Sequence, residues 1–187
     1  MLVALRDALG RGAAGAGPCK SLARSESGAT TVEFALVAAP FIALLVGLFQ
    51  TALVFFAGRV LDETVEQASR YIMTGQAQTG NVTAAGFATY VCANTFALFT
   101  CGKFMINVQN YGSFAAASTA TPTLSFDANG NVTNSWAYNT GNPGDIVVVQ
   151  VMYQWPVLFG PLSFSLSNLS NGNRLLMSTA VFKNEPY

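Results

Sequence analysis

With 187 residues, 51% of them apolar and only 10% charged, the chain carries little charge for a soluble globule of its length. Nine basic residues balance nine acidic ones and there is no histidine. That argues against a nucleic-acid partner, which needs a basic field, and removes the commonest general base and zinc ligand.

Residues 1–28 read as a short basic leader rich in Gly, Ala and Ser, in which Arg6, Arg11, Lys20 and Arg24 outweigh Asp7 and Glu26. The leader has no apolar core of its own, so it does not read as an ordinary secretory signal. Gly17-Pro18-Cys19 fails as a lipoprotein site, because no apolar region precedes Cys19. The leader runs into G-A-T-T-V-E-F, Gly28 to Phe34, and then into a stretch without charge from Phe34 to Ala57. Those 24 residues span roughly 36 Å as a helix, enough to cross a hydrocarbon core about 30 Å thick. Glu33 stands at the mouth of this helix, where an acidic side chain costs about 2.5 to 3.5 kcal/mol on insertion scales. Positive charge before the span and a slight acidic excess after it, from Arg59 and Arg70 against Asp62, Glu63 and Glu66, predict a cytoplasmic N-terminus and an exported C-terminal part.

Beyond the span, Leu61, Val65, Ala68 and Ile72 repeat at helical spacing while Asp62, Glu63, Glu66 and Arg70 mark the wet side. One helix from about Thr30 to Thr74 is expected, stopped at Gly75 and bent at Pro40, whose ring removes a backbone hydrogen bond to Leu36. A membrane helix tolerates such a bend. Ala84, Phe87, Ala88 and Val91 predict a second helix over about Thr83 to Thr95. Cys92 and Cys101 both fall in the exported part, where an oxidising compartment allows a disulfide, and Cys19 falls on the reducing side. On one continuous helix Cys92 and Cys101 would face opposite ways, so their bridge requires a bend between them.

The period then changes to two. Phe104, Ile106 and Val108 alternate with Asn107 and Gln109; Val147, Val149, Val151, Tyr153 and Trp155 alternate with Gln150 and Gln154. Half-buried strands are expected there, with a third from Leu175 to Lys183 and a hairpin within Leu124 to Trp136 around Asn129-Gly130. Tyr111 to Pro122 and Asn139 to Gly144 read as loops. The fold class is α+β: a leader over 1–28, a transmembrane plus amphipathic helix over 29–76, and a small exported domain over 77–187 holding a short helix and an antiparallel sheet.

No catalytic spacing is visible, and neither a metal nor a cofactor is expected. Asp145 reads as a turn residue ahead of a strand, and Arg174, Lys183 and Glu185 as solvated charges. Asn81, Asn131 and Asn168 begin N-x-S/T triplets of the kind that arise by chance in an Asn/Thr-rich domain. Trp136 and Trp155 belong with the core rather than with a sugar-binding surface.

A glycine closing a basic leader, a small residue after it, and a glutamate five residues into the trimmed chain resemble a prepilin-peptidase site of the type IV pilin superfamily. Together with S-E-S-G-A-T-T-V-E-F-A-L-V, A-S-R-Y-I-M-T-G at Ala68 to Gly75, G-D-I-V-V-V-Q-V at Gly144 to Val151 and F-K-N-E-P-Y at Phe182 to Tyr187, the chain resembles the TadE-like minor pilins or pseudopilins of the tight-adherence (Tad/Flp) pilus. The resemblance implies cleavage between Gly28 and Ala29 by a membrane prepilin peptidase, and then packing with other minor pilins and the assembly platform. Glu33 and Phe34 become the residues of subunit assembly. A carboxylate at Glu33 would neutralise the new α-amino group of Ala29 in a neighbouring helix, where a lone charge is costly. Phe34 stands where many pilins carry tyrosine. The 159 residues after Gly28 are far more than a major pilin of this type has, which implies a minor component in assembly, initiation or tip formation. The leader is long for the family, which leaves open the true start and the role of Cys19. The rival reading is an uncleaved, single-pass adhesin or envelope sensor anchored in lipid by the same helix.

Overall fold

The computed structural model describes residues 27–118, 122–157 and 165–187; the leader up to residue 26, with Cys19 and the expected cytoplasmic charges, lies outside them. The first element, α1 (Ser27–Met73), is one helix of 47 residues with Pro40 inside it. It already includes the three residues before the expected Thr30, and it ends one before Thr74. By its contacts the chain falls into two compact units, Met1–Ile42 and Ala43–Tyr187, with the boundary inside α1.

In the first unit the described residues belong to α1, and none with a described side chain is buried. In the second, α1 changes character. From Gln50 onward it presents a buried stripe, Val54, Ala57, Leu61, Val65, Ala68 and Ile72. This is the predicted amphipathic spacing, extended two steps toward the N-terminus. Thr64 and Ser69 lie on the same covered side, and each hydroxyl donates to a carbonyl one turn back, to Val60 at 2.8 Å and to Val65 at 2.7 Å. Those local bonds let a polar group be buried without an orphaned donor.

The helix ends where the sequence places its stop. Gly75 takes the left-handed conformation (φ 77°) and its N–H donates to the Ile72 carbonyl at 3.0 Å. A side chain there would meet the Tyr187 ring, so the position demands glycine twice over. A single turn, α2 (Gln76–Thr79), follows. Then α3 (Ala84–Ala93) is started by Thr83, whose Oγ1 accepts from the Gly86 N–H at 3.2 Å. Phe87 and Val91 of α3 are buried against the stripe of α1. After α3 the chain bends, and Cys101 opens a 3-10 turn (Cys101–Lys103). The bend brings the two Cα atoms to 5.4 Å, and Cys92 and Cys101 are joined as a disulfide.

Three strands, β1 (Met105–Tyr111), β2 (Ile146–Pro156) and β3 (Asn173–Lys183), form an antiparallel sheet in the order β1-β2-β3. Val108 pairs with Val149, which pairs with Ala180. Val108, Val147, Val149 and Val151 share one core with Leu61, Val65, Phe87 and Val91. Full burial of such a side chain contributes about 1.5 to 3 kcal/mol.

Two local expectations are corrected. The central strand β2 is buried on both faces rather than one, because a short helix, α4 (Phe114–Ser118), stands where a loop was expected. Its Ala117 packs with Ile146, Val148 and Tyr111. The polar members of that face, Asn107 and Gln150, are also buried and bond to one another, Asn107 Nδ2 donating to Gln150 Oε1 at 3.0 Å, while Asn107 Oδ1 accepts from the Ala137 N–H at 3.1 Å. The expected hairpin is reduced to a tight turn closed by one bridge, Phe126 to Val132. Asp127 organises it by accepting from the N–H groups of Asn129 and Asn131 at 2.9 and 2.8 Å.

Candidate functional site

The sequence points to the entrance of α1. Gly28, Ala29, Glu33 and Phe34 all lie within the first two turns and are exposed; Phe34 is 74% exposed. Ala29 and Glu33 stand four apart and therefore share a face, while Phe34 lies about 100° further round. A Cβ built on Gly28 meets no atom within 4 Å, so the peptide between Gly28 and Ala29 is sterically open. A glycine inside a helix weakens it by about 0.8 to 1 kcal/mol relative to alanine. With the other described residues Glu33 forms no ion pair.

From Ala35 to Phe49 the helix carries no polar side chain. Val32, Leu36, Val37, Phe41, Ile42, Leu44, Leu45, Val46, Leu48 and Phe49 are exposed apolar side chains on every side of the helix. Among the described residues α1 is the one helix long and apolar enough to cross a membrane, and it lies near the N-terminus. By length and composition this helix suggests a single-pass membrane anchor. Residues 28–70 match the family model of the TadE-like proteins. Over this segment the chain is similar to the TadE-like proteins. None of the curated proteins and none of the solved structures matches the chain.

Downstream of the TadE-like segment, three stretches far apart in sequence meet at the far end of α1. The N–H of Glu185 donates to the Met73 carbonyl at 3.0 Å, satisfying one of the carbonyls that a helix end leaves open. Asn184, buried, donates through Nδ2 to the carbonyls of Thr140 and Asn142 at 2.8 and 3.1 Å, and its N–H donates to the Asp145 carbonyl at 2.8 Å. Tyr187 lies on Gly75. The motifs ending at Gly75, beginning at Gly144 and closing at Tyr187 thus form one junction. Their spatial convergence was not visible in sequence, since nothing in F-K-N-E-P-Y says which helix end it caps.

Asp145 belongs to this junction as a turn residue. Its Oδ2 accepts from the Asn142 N–H at 2.8 Å and from Asn110 Nδ2 at 3.2 Å, and these bonds, the backbone one foremost, hold its carboxyl below the ordinary value. Asp127 is held low in the same way, chiefly by the Asn131 side chain. Burial pushes the Tyr138 hydroxyl up, with a smaller push from Tyr71. Arg174 and Lys183 lie near opposite ends of β3, and the Arg174 guanidinium donates to the Leu166 carbonyl at 3.0 Å, so these charges do not form one surface. Among the described residues no three His, Cys, Asp or Glu come together to hold a metal. Tyr153 is buried and Trp155 packs against the same core, within an aromatic cluster around Phe99.

Proposed function

We propose that this chain is a minor pilin or pseudopilin of a Tad/Flp pilus, cut by a prepilin peptidase after Gly28, and acting in assembly, initiation or tip formation. The observation that carries the reading is G-A-T-T-V-E-F at the head of an anchor helix within a segment that matches the TadE-like proteins. The basic leader is cytoplasmic in this reading, and the disulfide-bonded domain is exported. Cleavage frees the α-amino group of Ala29. Glu33, the carboxylate nearest to it on α1, neutralises that cation in an adjacent helix, and pairing rather than either charge alone makes burial between subunits affordable. Phe34 and the apolar residues that follow supply the helix-to-helix surface. The partners are the peptidase, other minor pilins, the assembly platform and the surrounding lipid.

The first test is the intact mass and N-terminal sequence of the protein from native membranes. A chain beginning at Ala29, and two protons lighter than its fully reduced form, is expected. Retention of residues 1–28 beside an active peptidase overturns the pilin reading in favour of a permanently anchored adhesin or sensor. The second test is Glu33→Gln, expected to insert and be cut normally while incorporating poorly; normal piliation of a deletion strain by this variant would remove the role given to Glu33.

A further inference from the structure

The loop between the two cysteines divides its apolar residues between two environments. Phe99 turns inward and is buried, with its ring 4.9 Å from Tyr153, 5.6 Å from Trp155 and 5.5 Å from Phe104. The N–H of Thr100 donates to the Tyr153 hydroxyl at 3.2 Å. Phe96 and Leu98, on either side of Ala97, turn outward and are 61% and 36% exposed. The loop is thus pinned from inside by Phe99 and across its base by the disulfide, and it holds two apolar side chains against whatever lies outside.

The ring of Phe96 sits edge to face with Phe56, at 6.4 Å between centroids. Phe56 is itself half exposed and lies near the end of the uncharged run, three residues before Arg59. Counted from Phe34, about 20 residues and 30 Å of hydrocarbon end near Leu53, and Phe56 lies about 4.5 Å further along the helix. That places Phe56 in the headgroup layer, where amphipathic and aromatic side chains collect. Phe96, touching Phe56, shares that level. From Tyr71 to Gly102 there is no charged residue; exposed Lys103 follows just past the disulfide, and exposed Arg59, one turn past Phe55, lies 3.8 Å from Asp62, while Glu63 lines the groove shared by Phe56 and Phe96.

We propose that the Cys92–Cys101 loop is a second membrane contact, with Phe96 and Leu98 seated in the headgroup layer of the leaflet through which α1 leaves and with Arg59 and Lys103 facing anionic phospholipid. The occupant is lipid because the loop carries no charge of its own and its Phe96 ring joins the apolar run of the anchor helix through Phe56. The contact fixes the height of the exported domain above the bilayer and resists its tilting. This inference rests on the reading of α1 as a membrane-spanning helix.

The test places p-benzoylphenylalanine singly at positions 41, 96 and 126 of the full chain, followed by irradiation in native membranes and mass analysis of the adducts. Phe41 lies within the span and Phe126 is exposed in the Asp127 turn. Lipid adducts at 41 and 96, and none at 126, are expected. A lipid adduct at 41 with a protein adduct at 96 overturns the proposal in favour of docking on a neighbouring subunit; one at 41 with none at 96 overturns it by leaving the loop in water. Absence of lipid at 41 brings down the spanning reading and this proposal with it. Leu98→Asp in the position-96 chain is expected to abolish the lipid adduct there while the disulfide mass and the position-41 yield stay unchanged. An undiminished adduct at 96 would also overturn the proposal.

Discussion

The two stretches of α1 use the same vocabulary of Leu, Val, Ala and Phe and end in opposite environments. Between Gly28 and Phe49 no side chain is buried; between Gln50 and Ile72 every turn contributes at least one buried residue. Hydrophobicity alone does not distinguish them. What differs is arrangement: the first stretch is apolar on all sides, which suits lipid, whereas the second confines its apolar residues to a stripe three and four apart and sets Asp62, Glu63, Glu66 and Arg70 against it, which suits a protein core on one side and water on the other. The exposed pair Arg70 and Glu66, at 2.6 Å, adds little to stability. The stripe carries it.

The largest test of this contrast is a matched pair of truncations. Leu61 is 1% exposed, and Leu61→Ala is expected to cost about 2 to 5 kcal/mol in unfolding of the full chain in detergent micelles. Leu36→Ala, in the first stretch, is expected to change that unfolding by no more than about 0.5 kcal/mol, as at a site the packed unit does not use. Equal costs at both positions would mean that the stretch from Gly28 to Phe49 packs on protein after all. Next in size is the staple: Cys92→Ser with Cys101→Ser opens a loop of about ten residues and is expected to remove about 2.5 to 3 kcal/mol, read in the same unfolding measurement. The anchor stretch should keep its helical signal in that variant. Smaller again is Gly75→Ala, at about 1 to 2 kcal/mol for a left-handed alanine, with part of the loss recovered when Tyr187 is also cut to alanine.

Much of this was legible in the residues themselves. The stripe of Leu61, Val65, Ala68 and Ile72, the stop at Gly75, the start of α3 at Thr83, the disulfide and the three antiparallel strands all follow from local signals: spacing, a turn residue, a cap, a compartment. What was missed is non-local or weakly patterned. Phe114 to Ser118 is too short and too rich in alanine and serine to announce a helix, so the cover over Ile146 and Val148 was invisible. The junction of Met73, Asn184, Glu185 and Tyr187 needs the sheet to carry the C-terminus back to the end of α1. At the entrance of α1, residue type and position conveyed the whole of what can be read about Gly28, Ala29 and Glu33, because the chemistry proposed for them involves other molecules.

Acid offers the mildest separation of the two regions. Asp127 and Asp145 are both held below the ordinary value of 3.8 in the folded chain by hydrogen bonds that only the carboxylate accepts well. A group with a lowered folded value binds protons more readily when unfolded, so its contribution is complete above about pH 4 and is lost as pH falls through the folded value. Unfolding of the packed unit is therefore expected to become easier below about pH 4, while the helical signal of the anchor stretch persists. Asp145→Asn should lower the plateau at neutral pH slightly and flatten the acid limb, because the contacts with the Asn142 N–H and Asn110 then no longer depend on a charge. An acid limb of unchanged steepness in both Asp145→Asn and Asp127→Asn would place the proton-sensitive contacts elsewhere in the chain.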